Sequence, residues 1–222
     1  MQFEKKKQNL MAKEKKEKTS SLFRLKEDLK LKLIPSHIEC FDNSNLQGTN
    51  PVAACVVFKN GKPSKKEYRL FNIKTVVGPD DYKSMEEVVF RRYKRLINEK
   101  KPLPQLIVID GGKGQLSSAV KSLKQLNIDG QIAIIGIAKR LEEIYFPNDS
   151  TPLYLDKKSS SLKLIQQLRN EAHRFGINHH RRKRMSENIK TSLDNISGIG
   201  PKTSTLLSVS YTHLTLPTNV AG

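Results

Sequence analysis

The chain has 222 residues, enough for one substantial core and a small appendage at roughly 100–200 residues per domain. Its 40 Lys and Arg against 22 Asp and Glu give a formal net charge of +18, which points to a polyanionic partner. No apolar run approaches the ~18 residues that span a bilayer, no apolar stretch follows the Lys-rich start as in a secretory signal, and the absence of Trp disfavours a membrane-surface helix, so nucleic acid is the expected partner.

Residues 1–20, MQFEKKKQNLMAKEKKEKTS, carry Lys and Glu with few apolar positions and read as a solvated helix or a disordered lead-in. SLFRLKEDLKL then sets Leu22, Leu25 and Leu29 at helical spacing, and Pro35 closes the lead-in of 1–34. HIECFD, VAACVVF and KEYRLFNI are three β-rich runs. The last two are joined by KNGKP, whose Asn60-Gly61 is a hairpin signal, so an antiparallel meander is expected. Cys40 and Cys55 lie in these runs and not at metal-ligand spacing, as reduced core thiols of a cytosolic protein would. Between 82 and 100 the period changes: Met85, Val88, Val89, Tyr93, Leu96 and Ile97 fall on one helical face, with Asp80 or Asp81 of GPDDY at the N-cap.

PQLIVID is apolar nearly throughout, the pattern of a strand covered on both faces. GGKGQ and a helix from about Gln115 to Leu126 follow, then a second buried strand, QIAIIGIA. EEIYFPNDSTPLYLD reads as a hairpin around Pro147 to Asp149, and SSSLKLIQQLRNEAHRFG as a helix with Leu162, Ile165, Ala172 and His173 on one face. A right-handed crossover sets the fourth strand beside the first and parallel to it. The expected fold is therefore α/β, a ribonuclease H-like mixed sheet with flanking helices over 35–185.

IECF ends in Asp42 as LIVID ends in Asp110. One acid at a strand end is ordinarily a cap or turn residue. Two acids on neighbouring parallel strands emerge together at the ligand-binding edge of an α/β sheet and repel, and a hard divalent cation such as Mg2+ or Mn2+ relieves that repulsion. GGKGQ lacks the Walker spacing, so nucleotide hydrolysis is not supported; either its glycines serve a tight turn with Lys113 facing a phosphate, or the loop is merely flexible. His173 matters only if its helix crosses the acidic edge, where it could ligate a metal or carry a proton. HHRRKR, with Arg181, Arg182, Lys183 and Arg184, suits phosphate contacts without sequence preference. ISGIGPKTSTLL (196–207) has the form of a helix-hairpin-helix, in which Gly198, Gly200 and Lys202 form a turn that can hold a DNA phosphate.

Taken together, IECFDNSNLQGT, KTVVGPDDYKSMEEVVFRRY, LIVIDGGKGQLSSA, IGIAKRLEEIYFP, RNEAHRFGINHHRRKR and LDNISGIGPK, in order over about 37–207, resemble the C-terminal half of the UvrC family, the incision subunit of the bacterial UvrABC excision nuclease. The resemblance implies a cytoplasmic DNA-repair endonuclease that cuts damaged double-stranded DNA on the 5′ side of the lesion. By motif position Asp42, Asp110 and His173 would be the catalytic and metal-binding triad, and Asp81 an additional acid. It further implies Mg2+ or Mn2+ as cofactor and UvrB, with UvrA indirectly, as partners. The family's N-terminal GIY-YIG nuclease and UvrB-docking segment lie outside the matched stretch. Residues 186–207 would be linker and first helix-hairpin-helix. The family's second hairpin has no counterpart in 208–222, whose SYTHLTLPT resembles a translated sequencing adapter and is set apart as a non-native tail. Two other readings stand beside this one: a noncatalytic DNA-binding module with no competent metal site, and a ribonuclease H-like enzyme acting on RNA hybrids. Convergence of Asp42, Asp110 and His173 separates the nuclease from the binding module.

Overall fold

A computed structural model describes residues 19–44, 52–76, 80–138 and 142–194 together with positions 4, 203 and 206; for 44, 180 and 182–194 it describes the backbone alone. The chain divides into two compact units, 1–176 and 177–222, and the sheet belongs to the first. Arg182, Lys183 and Arg184 fall among the backbone-only positions, and Gly198, Gly200, Lys202 and the 208–222 tail lie outside the described residues.

Helix α1 (19–28) is followed by β1 (His37–Ser44), β2 (Val52–Lys59), β3 (Lys62–Pro63), β4 (Arg69–Asn72), α2 (Asp81–Asn98), β5 (Leu106–Asp110), α3 (Lys113–Gln125), β6 (Ala133–Ala138), β7 (Glu143–Tyr145) and α4 (Ser160–Asp194). The strands form one mixed sheet in the order β3-β2-β1-β5-β6-β7, with β4 also paired to β2. β1 is antiparallel to β2 and parallel to β5, and β5 is parallel to β6, as the crossover argument requires. Asn60 and Gly61 both take positive φ, 51° and 71°, the geometry the Asn-Gly signal predicts for the β2–β3 turn.

The expected third strand, KEYRLFNI, begins late: a short β3 precedes it within KNGKP, and only Arg69–Asn72 of the run itself forms a strand. Pro63 supplies no N–H for a ladder, so β3 stops there. A 3-10 turn at Lys65–Glu67 follows, secured by Glu67, which accepts from Ser64 Oγ at 2.6 Å and from Lys59 Nζ at 2.7 Å; β4 then resumes the pairing with β2.

Alternation along the strands builds two cores. On one face Ile38, Cys40, Leu106, Val108, Ile135 and Ile137 pack beneath α1 and α4. On the other Phe41, Ile107, Ile109 and Ile134 pack beneath α2 and α3. A ten-residue helix such as α1 is marginal alone. It holds because Leu22, Leu25 and Leu29 are buried in the first core, each worth about 1.5–3 kcal/mol, so much of the expected lead-in is part of the fold. On α2 the buried stripe runs Met85, Val88, Val89, Arg92, Tyr93, Leu96. Ile97, placed on that stripe by its hydrophobicity, is 40% exposed; Arg92 fits the 3,4,3 spacing and takes the inner position. α4 begins where the pattern predicts and runs unbroken through the basic HHRRKR segment and past 185 to Asp194.

Candidate active site

Asp42 lies on β1 and Asp110 ends β5. The parallel register closes with Phe41 opposite Ile109, and the next residue on each strand is an aspartate. Neighbouring strands stand about 4.8 Å apart. Asp110 is paired with Ile137 and is two residues beyond Val108, while Asp42 is two residues beyond Cys40, so both carboxylates share the α1–α4 face. Both residues are buried, at 1% and 6% exposure. Burial, together with the Asp110 and Asp42 carboxylates, pushes the intervening Cys40 thiol well above its ordinary range. Cys40 and Cys55 are free and buried.

α4 crosses this face. Leu164, Ile165, Leu168 and Ala172 bury into the core, and His173, half-exposed at the margin of that stripe, places Nδ1 3.0 Å from Asp42 Oδ2. The condition the sequence left open for His173 is thus met: its helix does reach the acidic sheet end. The contact with the carboxylate orients the imidazole ring through Nδ1.

Helix N-termini converge on the same end. Asp80, and not Asp81, caps α2, accepting from the backbone N–H groups of Tyr82 and Lys83 at 3.1 and 3.0 Å. Asp81 is exposed in the first turn, and its carbonyl accepts from Asn43 Nδ2 at 2.9 Å, which ties the start of α2 to the residue after Asp42. α3 starts at Lys113, two residues before the expected Gln115, directly after the Gly111-Gly112 turn that follows Asp110. The exposed Lys113 sits with Nζ 5.0 Å above the Tyr145 ring, beside the acidic end. Arg181 is exposed on α4.

The turn after Asp110 is held by a close backbone approach. A Cβ at Gly136 on β6 would stand 2.9 Å from the Gly111 carbonyl oxygen. We expect Gly136→Ala to cost about 1–3 kcal/mol, read as a lower denaturation midpoint, because backbone at that contact cannot rotate away. An unchanged midpoint would refute the close approach.

Sequence reasoning missed Glu39. It is fully buried on the opposite face of β1, where Arg92 donates to it through Nε at 3.1 Å and Nη2 at 2.5 Å, and Tyr93 through its hydroxyl at 3.1 Å. The signal was an acid inside an apolar strand, which demands a cationic or hydrogen-bonding partner. Arg169 was likewise unforeseen.

Among the described residues no three His, Cys, Asp or Glu side chains form a group able to hold a metal ion by themselves. The donor set is nonetheless of the hard-oxygen kind: two carboxylates on one face suit a hard divalent cation. No helix among the described residues is long and apolar enough to cross a membrane.

A mixed sheet with antiparallel and parallel pairs about β1, an acid on each strand where the β1–β5 parallel pairing ends, and a helix laid across them define a ribonuclease H-like domain. The chain belongs to the UvrC RNase H endonuclease domain family, whose model matches residues 26–177. It is 73% identical over 179 residues, 81% of its length, to UvrABC system protein C of Christiangramia forsetii, and 69% identical over the same share to that of Flavobacterium johnsoniae. It is 63% identical over 81% of its length to the protein of that name from Porphyromonas gingivalis. The chain spans about 30% of the length of these relatives. Among solved structures, endonuclease V of Bacillus subtilis overlaps 72% of this chain and 91% of its own at 14% identity and a TM-score of 0.37.

Proposed function

We propose that this chain is the portion of a UvrABC excision nuclease that makes the 5′ incision in damaged double-stranded DNA, leaving a 3′-hydroxyl and a 5′-phosphate. The observation that carries the reading is the pair of buried acids on adjacent parallel strands with His173 at 3.0 Å from one of them. Asp42 and Asp110 hold a divalent ion, Mg2+ or Mn2+, with His173 as a ligand or proton carrier. When bound, that ion lowers the pKa of a water and stabilises charge on the phosphate. Asp42 fixes the His173 ring through Nδ1, so the imidazole keeps one orientation while a proton moves at its other nitrogen. Asp81 is a nearby exposed acid at the start of α2 that adds negative charge for the ion. Lys113, Arg181, Arg182, Lys183 and Arg184, and the hairpin residues Gly198, Gly200 and Lys202, supply phosphate contacts that give affinity without base readout. Residues 35–185, with α1 added in front, form the nuclease domain; 186–207 are linker and first helix-hairpin-helix, and 208–222 a non-native tail. UvrB, loaded by UvrA, is the partner, and the compartment is the bacterial cytoplasm.

The test is incision of a lesion-bearing duplex reconstituted with UvrA and UvrB. Incision is expected with Mg2+ or Mn2+, to stop with EDTA, and to be lost in Asp42→Asn while duplex binding persists. Incision by Asp42→Asn at the wild-type rate would end the nuclease reading. A second reading, a noncatalytic DNA-binding module of the same complex, is favoured by the lack of a three-ligand group among the described residues. Duplex binding with no incision under any divalent ion would select it.

A further inference from the structure

α4 spans the sheet end in a way that brings an arginine to it as well as His173. His173 meets Asp42 on β1. One turn earlier, Arg169 Nη2 lies 3.8 Å from Oε1 of Glu142, a residue at the β6–β7 connection beside the Ala138–Glu143 pair. β5 lies between β1 and β6, so the stretch of α4 from Arg169 to His173 passes over the strand that ends in Asp110. Gln166 Nε2 donates to the same Glu142 oxygen at 2.6 Å, which steadies the acid that holds Arg169.

The guanidinium is only partly used. Its side chain is 17% exposed, and Nη1 is fully buried with no hydrogen-bond partner among the described residues. A buried cationic donor left idle is costly, and native structures keep such groups where a ligand or ion will occupy them.

We propose that Arg169 is a substrate-binding residue of this site, donating from Nη1 to a nonbridging oxygen of the DNA phosphate that sits over Asp42 and Asp110. The proposal rests on the phosphodiester reading above. Asp42 and Asp110 carry negative charge toward an anionic substrate, and Arg169 supplies on that face a fixed positive donor that remains charged at any working pH. Its planar fork, with Nη2 toward Glu142, sets the direction of the free N–H.

The test separates this claim from the nuclease reading by using binding as well as turnover. Duplex affinity is measured in EDTA as a function of salt in an Asp42→Asn background, with and without Arg169→Gln. Loss of one phosphate contact is expected to reduce the slope of log affinity against log salt by about 0.9. In the incision assay with Asp42 intact, Arg169→Gln is expected to be about 100-fold slower. If Arg169→Gln does not fold, Arg169→Lys, which keeps the charge without the fork, is expected to retain the salt slope and to cut at least about tenfold more slowly, since one 1.36 kcal/mol step is tenfold in rate. An unchanged slope in folded Arg169→Gln, or wild-type incision by Arg169→Lys, would overturn the proposal and leave the roles of Asp42 and Asp110 standing. Wild-type incision by Asp42→Asn would remove the nuclease reading, whatever the slope shows.

Discussion

Asp110→Asn is expected to lower divalent-ion-dependent incision about a thousandfold or more while leaving the fold in place. The substitution keeps the side chain's shape and removes its charge. An amide oxygen binds a hard cation far less well than a carboxylate, and the ion contributes several kcal/mol of transition-state stabilisation, each 1.36 kcal/mol being tenfold in rate. Asp110 ends a strand buried along its whole length and stands across the parallel register from Asp42, so the substitution removes one of the two carboxylates this pair offers an ion. A second readout needs no turnover. At a concentration 100 times its dissociation constant, a bound ion adds about 2.7 kcal/mol to stability. At this chain length that raises the melting temperature by roughly 5–10 °C. Wild type is expected to show that shift on adding Mg2+ or Mn2+, and Asp110→Asn at most about a third of it, by the same linkage. Incision within tenfold of wild type, or an undiminished thermal shift, would remove Asp110 from the ion site.

Arg92→Ala is the largest expected stability loss. It strands Glu39, a fully buried acid, without its bidentate partner, and breaking a buried ion pair from one side costs about 3–5 kcal/mol. For a chain of this size the melting temperature should fall by roughly 10 °C. Replacing both members, Glu39→Met with Arg92→Met, should recover most of the loss, since an apolar pair of similar volume is commonly neutral or better. Glu39 also gives the loss a pH signature. Burial alone would raise its carboxyl, but the His37 ring, with Nε2 3.4 Å away, and the hydrogen bonds and charge of Arg92 prevail and hold it below its ordinary value of 4.5. A group whose folded value is depressed contributes its full stability above the unfolded value and loses it as pH falls through the folded one. The stability gap between wild type and Glu39→Gln should therefore be constant from pH 7 down to about 5 and close below the ordinary carboxylate range. Melting of Arg92→Ala within 2 °C of wild type, a shift of well under about 1 kcal/mol, would show that the pair is not integral to the core.

Much of this molecule could be read locally. The Asn60-Gly61 turn, the unbroken apolar run of β5, the leucine spacing of α1 and the start of α4 follow from period and turn chemistry, which act over a few residues. Asp110 could be seen at its strand end, Asp42 was read at one although β1 continues to Ser44, and the ordered motifs of the UvrC family implied the roles proposed for both. Other features depended on contacts distant in the chain. Periodicity placed Ile97 and not Arg92 on the inner face of α2, because Glu39, whose charge draws an arginine inward, lies 53 residues earlier. His173 was one histidine on a helix until α4 crossed the sheet and set it against Asp42, 131 residues away. Arg169 gained its buried donor the same way, held by Glu142 over the strand of Asp110. Periodicity is written into neighbouring residues because backbone geometry repeats every few residues. Which charged side chain meets which is decided only when packing brings separate elements together and makes an unpaired buried charge too costly to keep.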